Sequence, residues 1–345
     1  MRRLRMVGMR LAWSSLPAAY LVLAPGWLLA GCGSGNMNPG HLSQALPTAK
    51  ARFSAAYLYV ANQGNASVGG QSIEIFDLAN PLKGPIGSIR RHISEPDGIF
   101  IDGSGTLYVA NADQSGDDKV TVYPRGARKP SRIYAGAVCA FDAVSGTDGT
   151  VYVADACGIH DVGRVMVFEH GSSAPTRYVY PGGSPYSLTL DSRNNLYVGY
   201  NSYSTFWGQV KRYAPGAQHG EKLLPDQTVR FLTDVGLDNK GALLVANQHD
   251  GVIDVFTSKG KPPTRIIKTG QGGPFSFAFD RHENRIYVSY PCRGGGGLTV
   301  LTSSGCGKRH NTVVALDYAS GKRLWTLREQ FLLPFGVAVS PSAPF

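Results

Sequence analysis

The sequence lacks the spacings that announce most metal, nucleotide and acyl-transfer chemistry. Its five cysteines include no C-x-x-C pair, so a zinc site built from thiolates has no support in their spacing. Its eight histidines include no H-x-x-x-H, the arrangement that sets two imidazoles on one helical face. A G-x-S-x-G elbow, a P-loop and a dinucleotide fingerprint are missing from any strand-to-helix context. The glycine run at 294–297 has no helix start behind it, so no helix dipole would back a phosphate cradle there. Basic residues exceed acidic ones, 34 to 24, but form only short clusters at 125–129 and 308–309 without interleaved aromatics. Nucleic acid is therefore not an expected partner.

Glycine is what the chain has in plenty: 43 of 345 residues, against a usual share of roughly 7%. With 17 Tyr, 14 Phe, 21 Pro and a hydrophobic fraction of 43%, this composition excludes a disordered chain and argues against a helical bundle. It favours short strands joined by tight turns.

The long apolar run lies at the start. Arg2, Arg3, Arg5 and Arg10 precede an apolar stretch over 11–31, the layout of a targeting segment. An uncleaved membrane helix is the competing reading, but Pro17, Pro25 and Gly26 interrupt the stretch. It ends in Leu29-Ala30-Gly31-Cys32, which resembles the bacterial lipobox. That resemblance implies a signal peptide over 1–31, a mature chain beginning at a lipid-modified Cys32, and a membrane-anchored protein facing the periplasm or cell exterior. Gly33, where Asp would retain a lipoprotein at the inner membrane, implies the outer membrane in a cell that has two. Removal of 1–31 takes away four arginines and no acid, which lowers the net charge from +10 to +6. The Gly-, Ser-, Asn- and Pro-rich segment 32–52 reads as a flexible tether, and 53–345 as the folded domain.

Apart from Cys32 the cysteines number four, an even count suited to two disulfides in an oxidising compartment. Cys139 and Cys157 are equidistant from Asp148 in a Thr-Asp-Gly turn, so a hairpin centred there sets them opposite each other. Cys292 and Cys306 bracket a Gly-rich segment and are expected to close it as a loop.

A repeat dominates what remains. Leu58, Leu107, Val151, Leu196, Leu243 and Ile286 each open a segment of the type Leu-Tyr-Val-Ala-Asn, and successive copies begin 49, 44, 45, 47 and 43 residues apart. The second unit shows the internal order: an apolar strand from Pro96, Leu107 to Asn111, Lys119 to Tyr123, and Ser131 to Tyr134, separated by Gly, Asp and Pro turns. Four short strands repeated every 45 residues or so are the mark of a β-propeller blade. The first unit lacks a strand before Leu58, and the end of the chain supplies an orphan Pro334-Phe-Gly-Val-Ala-Val-Ser340. An all-β, six-bladed propeller closed by the C-terminal strand pairing into the first blade follows.

Pro96-Asp-Gly-Ile-Phe-Ile-Asp102 with Leu-Tyr-Val-Ala-Asn resembles the NHL-type propeller repeat, and the latter segment also resembles the YVTN repeat of bacterial surface proteins. Aligned blades give two polar columns, one of Asn62, Asn111, Asp155, Tyr200, Asn247 and Tyr290, the other of Gly336, Gly98, Asp142, Ser187, Asp234 and Ser276. Asp142, Asp155, Asp234, Asn111 and Asn247 would supply oxygens of the kind Ca2+ takes. This is similar to the gluconolactonase-like propellers, where such a site implies a metal-dependent lactone or ester hydrolase, although the Glu they carry early in the first blade has no counterpart over 57–62. The same side chains could instead end strands by bonding backbone N–H groups. His160 and His249 are the histidines near the same mouth and the base candidates. Tyr203, Phe206 and Trp207 form an aromatic loop suited either to ligand contact or to packing on the next blade. The leading expectation is a monomeric, non-enzymatic binding or scaffold module for protein or carbohydrate, with the Ca2+-dependent hydrolase as its alternative.

Overall fold

The computed structural model describes residues 56–63, 71–112, 119–159, 162–270, 272–291, 311–328 and 331–340. Cys32, the Cys292–Cys306 pair and His160 lie outside them.

Each repeat folds into one antiparallel sheet, and six such sheets form a six-bladed β-propeller. Blade two runs from Pro96–Ile101 at the axis through Leu107–Asn111 and Lys119–Tyr123 to Arg132–Ala135 at the rim. Blade one takes its innermost strand from the end of the chain: Pro334–Ser340 pairs antiparallel with Tyr57–Asn62, Tyr57 opposite Ser340 and Val60 opposite Val337. Blade four departs from the pattern. Its outer strand is split into Glu221–Lys222 and Val229–Arg230, both paired with Trp207–Tyr213.

The unbroken apolar character of the second strands has a packing cause. Leu58 and Val60 face the seam with blade six, among Tyr287, Val313 and Ala315, while Tyr59 and Ala61 face the seam with blade two, among Ile99, Leu107 and Val109. In blade two, Leu107 and Val109 look back at blade one, and Tyr108 and Ala110 look forward to Val151 and Val153 of blade three. A strand sandwiched between neighbouring blades buries both faces, so it reads as a continuous apolar run rather than an alternating one.

The hairpin of blade three turns at 146–150, where Gly149 has φ +80° and its N–H donates to the Gly146 carbonyl. Cys139 and Cys157 are joined, with Cα atoms 5.3 Å apart. They are not directly opposed as the turn position suggests. A bulge between Ala140 and Asp142 shifts the register by one, and the Cys139 carbonyl accepts from Ala156, so the disulfide reaches across to the following residue.

Candidate functional site

The innermost strands of all six blades surround an axial cavity of about 280 Å3. One level of it is a polar belt built from the first column. Asp142 of blade three accepts at Oδ2 from the Leu188 N–H of blade four (2.8 Å). Ser187 of blade four donates to Asp234 Oδ1 of blade five (2.6 Å) and accepts from the Val235 N–H (3.1 Å). Asp234 Oδ2 accepts from Phe277 N–H of blade six (2.7 Å), and Ser276 Oγ accepts from Val337 N–H of blade one (3.2 Å). Each side chain thus bonds the backbone of the next blade one residue beyond the matching position. At the remaining seams glycines replace these bridges. A Cβ on Gly336 would stand 2.5 Å from the Asp97 carbonyl, and one on Gly98 would stand 2.5 Å from the Phe141 carbonyl. Backbone contact closes the ring there because neither position carries a side chain.

Among the described residues lining the cavity are Asp97, Asp142 and Asp234, and no Lys, Arg or His. Asp142 and Asp234 receive neutral donors from the backbone and from Ser187. Burial, reinforced by the nearby charge of Asp234, holds the Asp142 carboxyl well above its usual range, and burial pushes Asp234 up to about 6.

The second column serves different ends. Asn62 Oδ1 accepts from the Leu332 and Leu333 N–H groups, and Asn111 Oδ1 from Ser94 N–H. Asp155 Oδ1 accepts from the N–H groups of Val138, Cys139 and Gly158, while its Oδ2 accepts from Arg164 Nε at 2.9 Å with both side chains buried. In all three blades the side chain holds the loop that delivers the innermost strand of its own blade. Asn247 bonds Asp250 and Asp254 instead. In blade four Tyr200 occupies the column, and the next residue, Asn201, makes a reciprocal pair with the backbone of Leu232 in blade five (2.7 and 2.8 Å). The two columns therefore do not share one centre: Asp142 and Asp234 line the axial cavity, and Asn111, Asp155 and Asn247 are not among its lining residues. Among the described residues no group of three or more His, Cys, Asp or Glu side chains is placed to hold a metal ion. His249 is exposed, with Nδ1 2.9 Å from Asp250 Oδ1.

Beside the mouth runs a row of aromatic rings that crosses three blades. Phe141 meets Tyr186 with centroids 4.9 Å apart, Tyr186 meets Phe231 at 5.5 Å, and Phe231 meets Phe206 at 6.3 Å. Phe206 and Phe231 both have φ +58°, and the Phe231 N–H donates to the Phe206 carbonyl (3.0 Å). Left-handed backbone is costly for bulky residues and persists where the surroundings enforce it. Phe206 is 56% exposed and Tyr203 47% exposed, the latter with its hydroxyl accepting from the Gly163 N–H at 2.6 Å. Trp207, expected at the loop tip, instead opens the third strand opposite Arg230 and is half-buried. The second segment of the split outer strand, Val229–Arg230, pairs with Gly208 and Trp207, which makes Trp207 part of the sheet rather than of the loop.

The fold is shared by solved structures. A chain in the crystal structure of a nidogen/laminin complex superposes with a TM-score of 0.60 at 13% identity, covering 84% of this chain and all of its own. A Bacteroides caccae protein of unknown function gives 0.59 at 14% identity, covering 83% and 98%. A chain of Kuenenia stuttgartiensis hydrazine synthase gives 0.50 at 15%, covering 72% and 71%. At such identities the likeness is one of fold. No family model and no curated protein matches the sequence.

Sequence reasoning missed Phe141, Tyr186 and Phe231. A signal for two of them was available: the residue just before the first column is aromatic in Phe335, Phe141, Tyr186 and Phe275. Phe231 lies outside that register, and only the split outer strand of blade four brings it to the row.

Proposed function

We propose that this protein is a lipid-anchored, extracytoplasmic binding module, held through Cys32 to a bacterial membrane, the outer one in a cell that has two, that captures a protein or carbohydrate ligand on the aromatic end of its propeller. The observation that carries this reading is the row from Phe141 to Phe206, which ends in the exposed Phe206 ring on left-handed backbone, together with exposed Tyr203 of the same loop, whose hydroxyl is held by the Gly163 N–H. Rings held in place lose little conformational entropy on binding, and their flat apolar faces suit either a pyranose or an apolar side chain. Oxygens of Asp142, Asp234, Asn62, Asn111 and Asp155 already accept from backbone N–H groups, a structural use that favours binding over metal-assisted hydrolysis.

The test is a double substitution, Tyr203→Ala with Phe206→Ala, in the mature protein. Screened against an oligosaccharide array and against membrane proteins recovered by cross-linking in cells, the wild-type chain should retain a defined ligand. The variant should lose about tenfold or more in affinity, the usual cost of truncating a central aromatic contact, with an unchanged thermal midpoint. Equal binding by both proteins would remove the aromatic end from the function.

A further inference from the structure

We infer that the opposite end of the propeller is a basic surface that rests on anionic phospholipid headgroups, so that the aromatic end points away from the membrane. This rests on the lipid anchor proposed above. The position of the incoming chain comes from register. Tyr57 pairs with Ser340, the last residue of the innermost strand, and with Asp77, the last residue of the third strand. The tether therefore joins at the end where third strands finish, and the same pairing holds in other blades, with Leu107 opposite Tyr123 and Leu243 opposite Phe256. The aromatic row belongs to the other end, where innermost strands begin.

The loops that follow the third strands, at 78–86, 124–131, 169–176, 214–220, 257–264 and 318–322, carry seven lysines and arginines against one acid, Glu169. All seven cations are exposed, and Lys259 also donates to Glu221 at the start of the blade-four outer strand (2.6 Å). Arg125, Arg128 and Lys129 stand together on blade two and Lys259 with Lys261 on blade five, while the loops of blades one and six hold one lysine each. Other acids at this end stand in the short turns after the innermost strands or at the ends of third strands, where Asp77, Asp102, Asp148, Asp191, Asp238, Asp280 and Asp317 direct Oδ1 at N–H groups of their own turns. Glu283 accepts from the Asn239 N–H, and Glu221 pairs with Arg212 and Lys259. The cations sit on the tips of long stems, and the Asp carboxylates are drawn back into the turns.

Distance makes this asymmetry effective. Between Cys32 and Ala56 the chain can extend at most about 80 Å, at roughly 3.5 Å per residue, so an acylated Cys32 keeps this end close to the leaflet at high effective concentration. The surface potential of an anionic leaflet reaches only about a Debye length, ~8 Å at physiological salt. Charges on projecting loops at the tethered end enter that layer, whereas charges at the far end of the blades do not.

The experiment uses the mature chain acylated at Cys32 and reconstituted in vesicles containing a lipid with a nitroxide on its headgroup. A fluorescent amino acid replaces Ser258, on the blade-five loop, or Ser204, beside the aromatic row. On phosphatidylcholine–phosphatidylglycerol vesicles the probe at 258 should be quenched several-fold more than the probe at 204. The difference should vanish on phosphatidylcholine alone, at high salt, and when Arg125, Arg128, Lys129, Lys259 and Lys261 are all replaced by Ser in a protein whose melting is unchanged. Equal quenching of the two probes on the anionic vesicles, or a difference indifferent to salt and charge removal, overturns the inference. Flotation separates this result from the anchor itself. A wild-type chain that fails to float with phosphatidylcholine vesicles refutes the lipid anchor and this inference with it, whereas a chain that floats with equally quenched probes refutes the basic surface alone.

Discussion

At the scale of single residues, the polar belt shows how a repeat can be symmetric in backbone and asymmetric in chemistry. Six equivalent positions make the same inter-blade connection, two by backbone contact at Gly98 and Gly336 and four through Asp142, Ser187, Asp234 and Ser276. The two carboxyls carry a pH signature opposite to the usual acid sensitivity. Asp234 has its native pKa raised to about 6 by burial, above its value in the unfolded chain, so the native state binds the proton more tightly. Its stabilising effect is complete below about pH 4 and is lost as pH rises through 6, a span worth up to about 3 kcal/mol by linkage. The thermal midpoint should therefore rise as the pH is lowered from 7 to 5. Asp234→Asn should flatten that rise, leaving the share that belongs to Asp142. A midpoint that falls over this interval in the wild-type protein would show that other groups dominate.

Among elements, the strand Pro334–Ser340 determines whether the ring exists. It buries Phe335 completely, with its ring 4.4 Å from Phe275, and Ser289 of blade six donates to the Phe335 carbonyl. It also pairs along Tyr57–Asn62, so one strand ties the first blade to the last. Deleting residues 335–345 removes this apolar burial and exposes the edge of Tyr57–Asn62. The loss should be on the order of 5 kcal/mol or more, comparable with the entire stability of a typical domain. Calorimetry should then show either no folded transition or one displaced far downward, and a retained midpoint would mean that the ring closes elsewhere. The split outer strand of blade four is the converse case. By interrupting Glu221–Lys222 before Val229–Arg230, it frees the chain to bring Phe231 against Phe206, which makes blades three to five the side on which the aromatic row forms.

For the whole molecule, the two ends of the propeller differ in kind. One presents aromatic rings beside the mouth on blades three to five, and the other presents basic loops at the end where the second strands begin. The belt side chains and the strand-end Asn and Asp bond backbone of their own or the neighbouring blade, which has a direct consequence for metal removal. Addition of EDTA, or of Ca2+ after it, should leave the thermal midpoint unchanged, because the oxygens of Asp155, Asn111 and Asp142 already accept from backbone N–H groups. A shift of several degrees that Ca2+ reverses would instead reveal a cation tying blades together.

Periodicity in the chain was enough for the blade count, the four-strand order and the closure by the C-terminal strand, because a strand buried on both faces and repeated every 45 residues or so leaves its pattern in every copy. The cysteine pair at 139 and 157 was legible for the same reason, as a hairpin turn defines its own midpoint, although the bulge at Ala140 was not. The destination of the polar columns was decided only by tertiary structure. Alignment shows that Asp142 and Asp155 stand at fixed blade positions, but one reaches across a seam to Leu188 and the other reaches back to the loop before the innermost strand of its own blade. That choice depends on the direction in which adjacent blades present their N–H groups. Local sequence determines which residues form a strand, whereas the packing of one wedge against the next determines what their side chains meet.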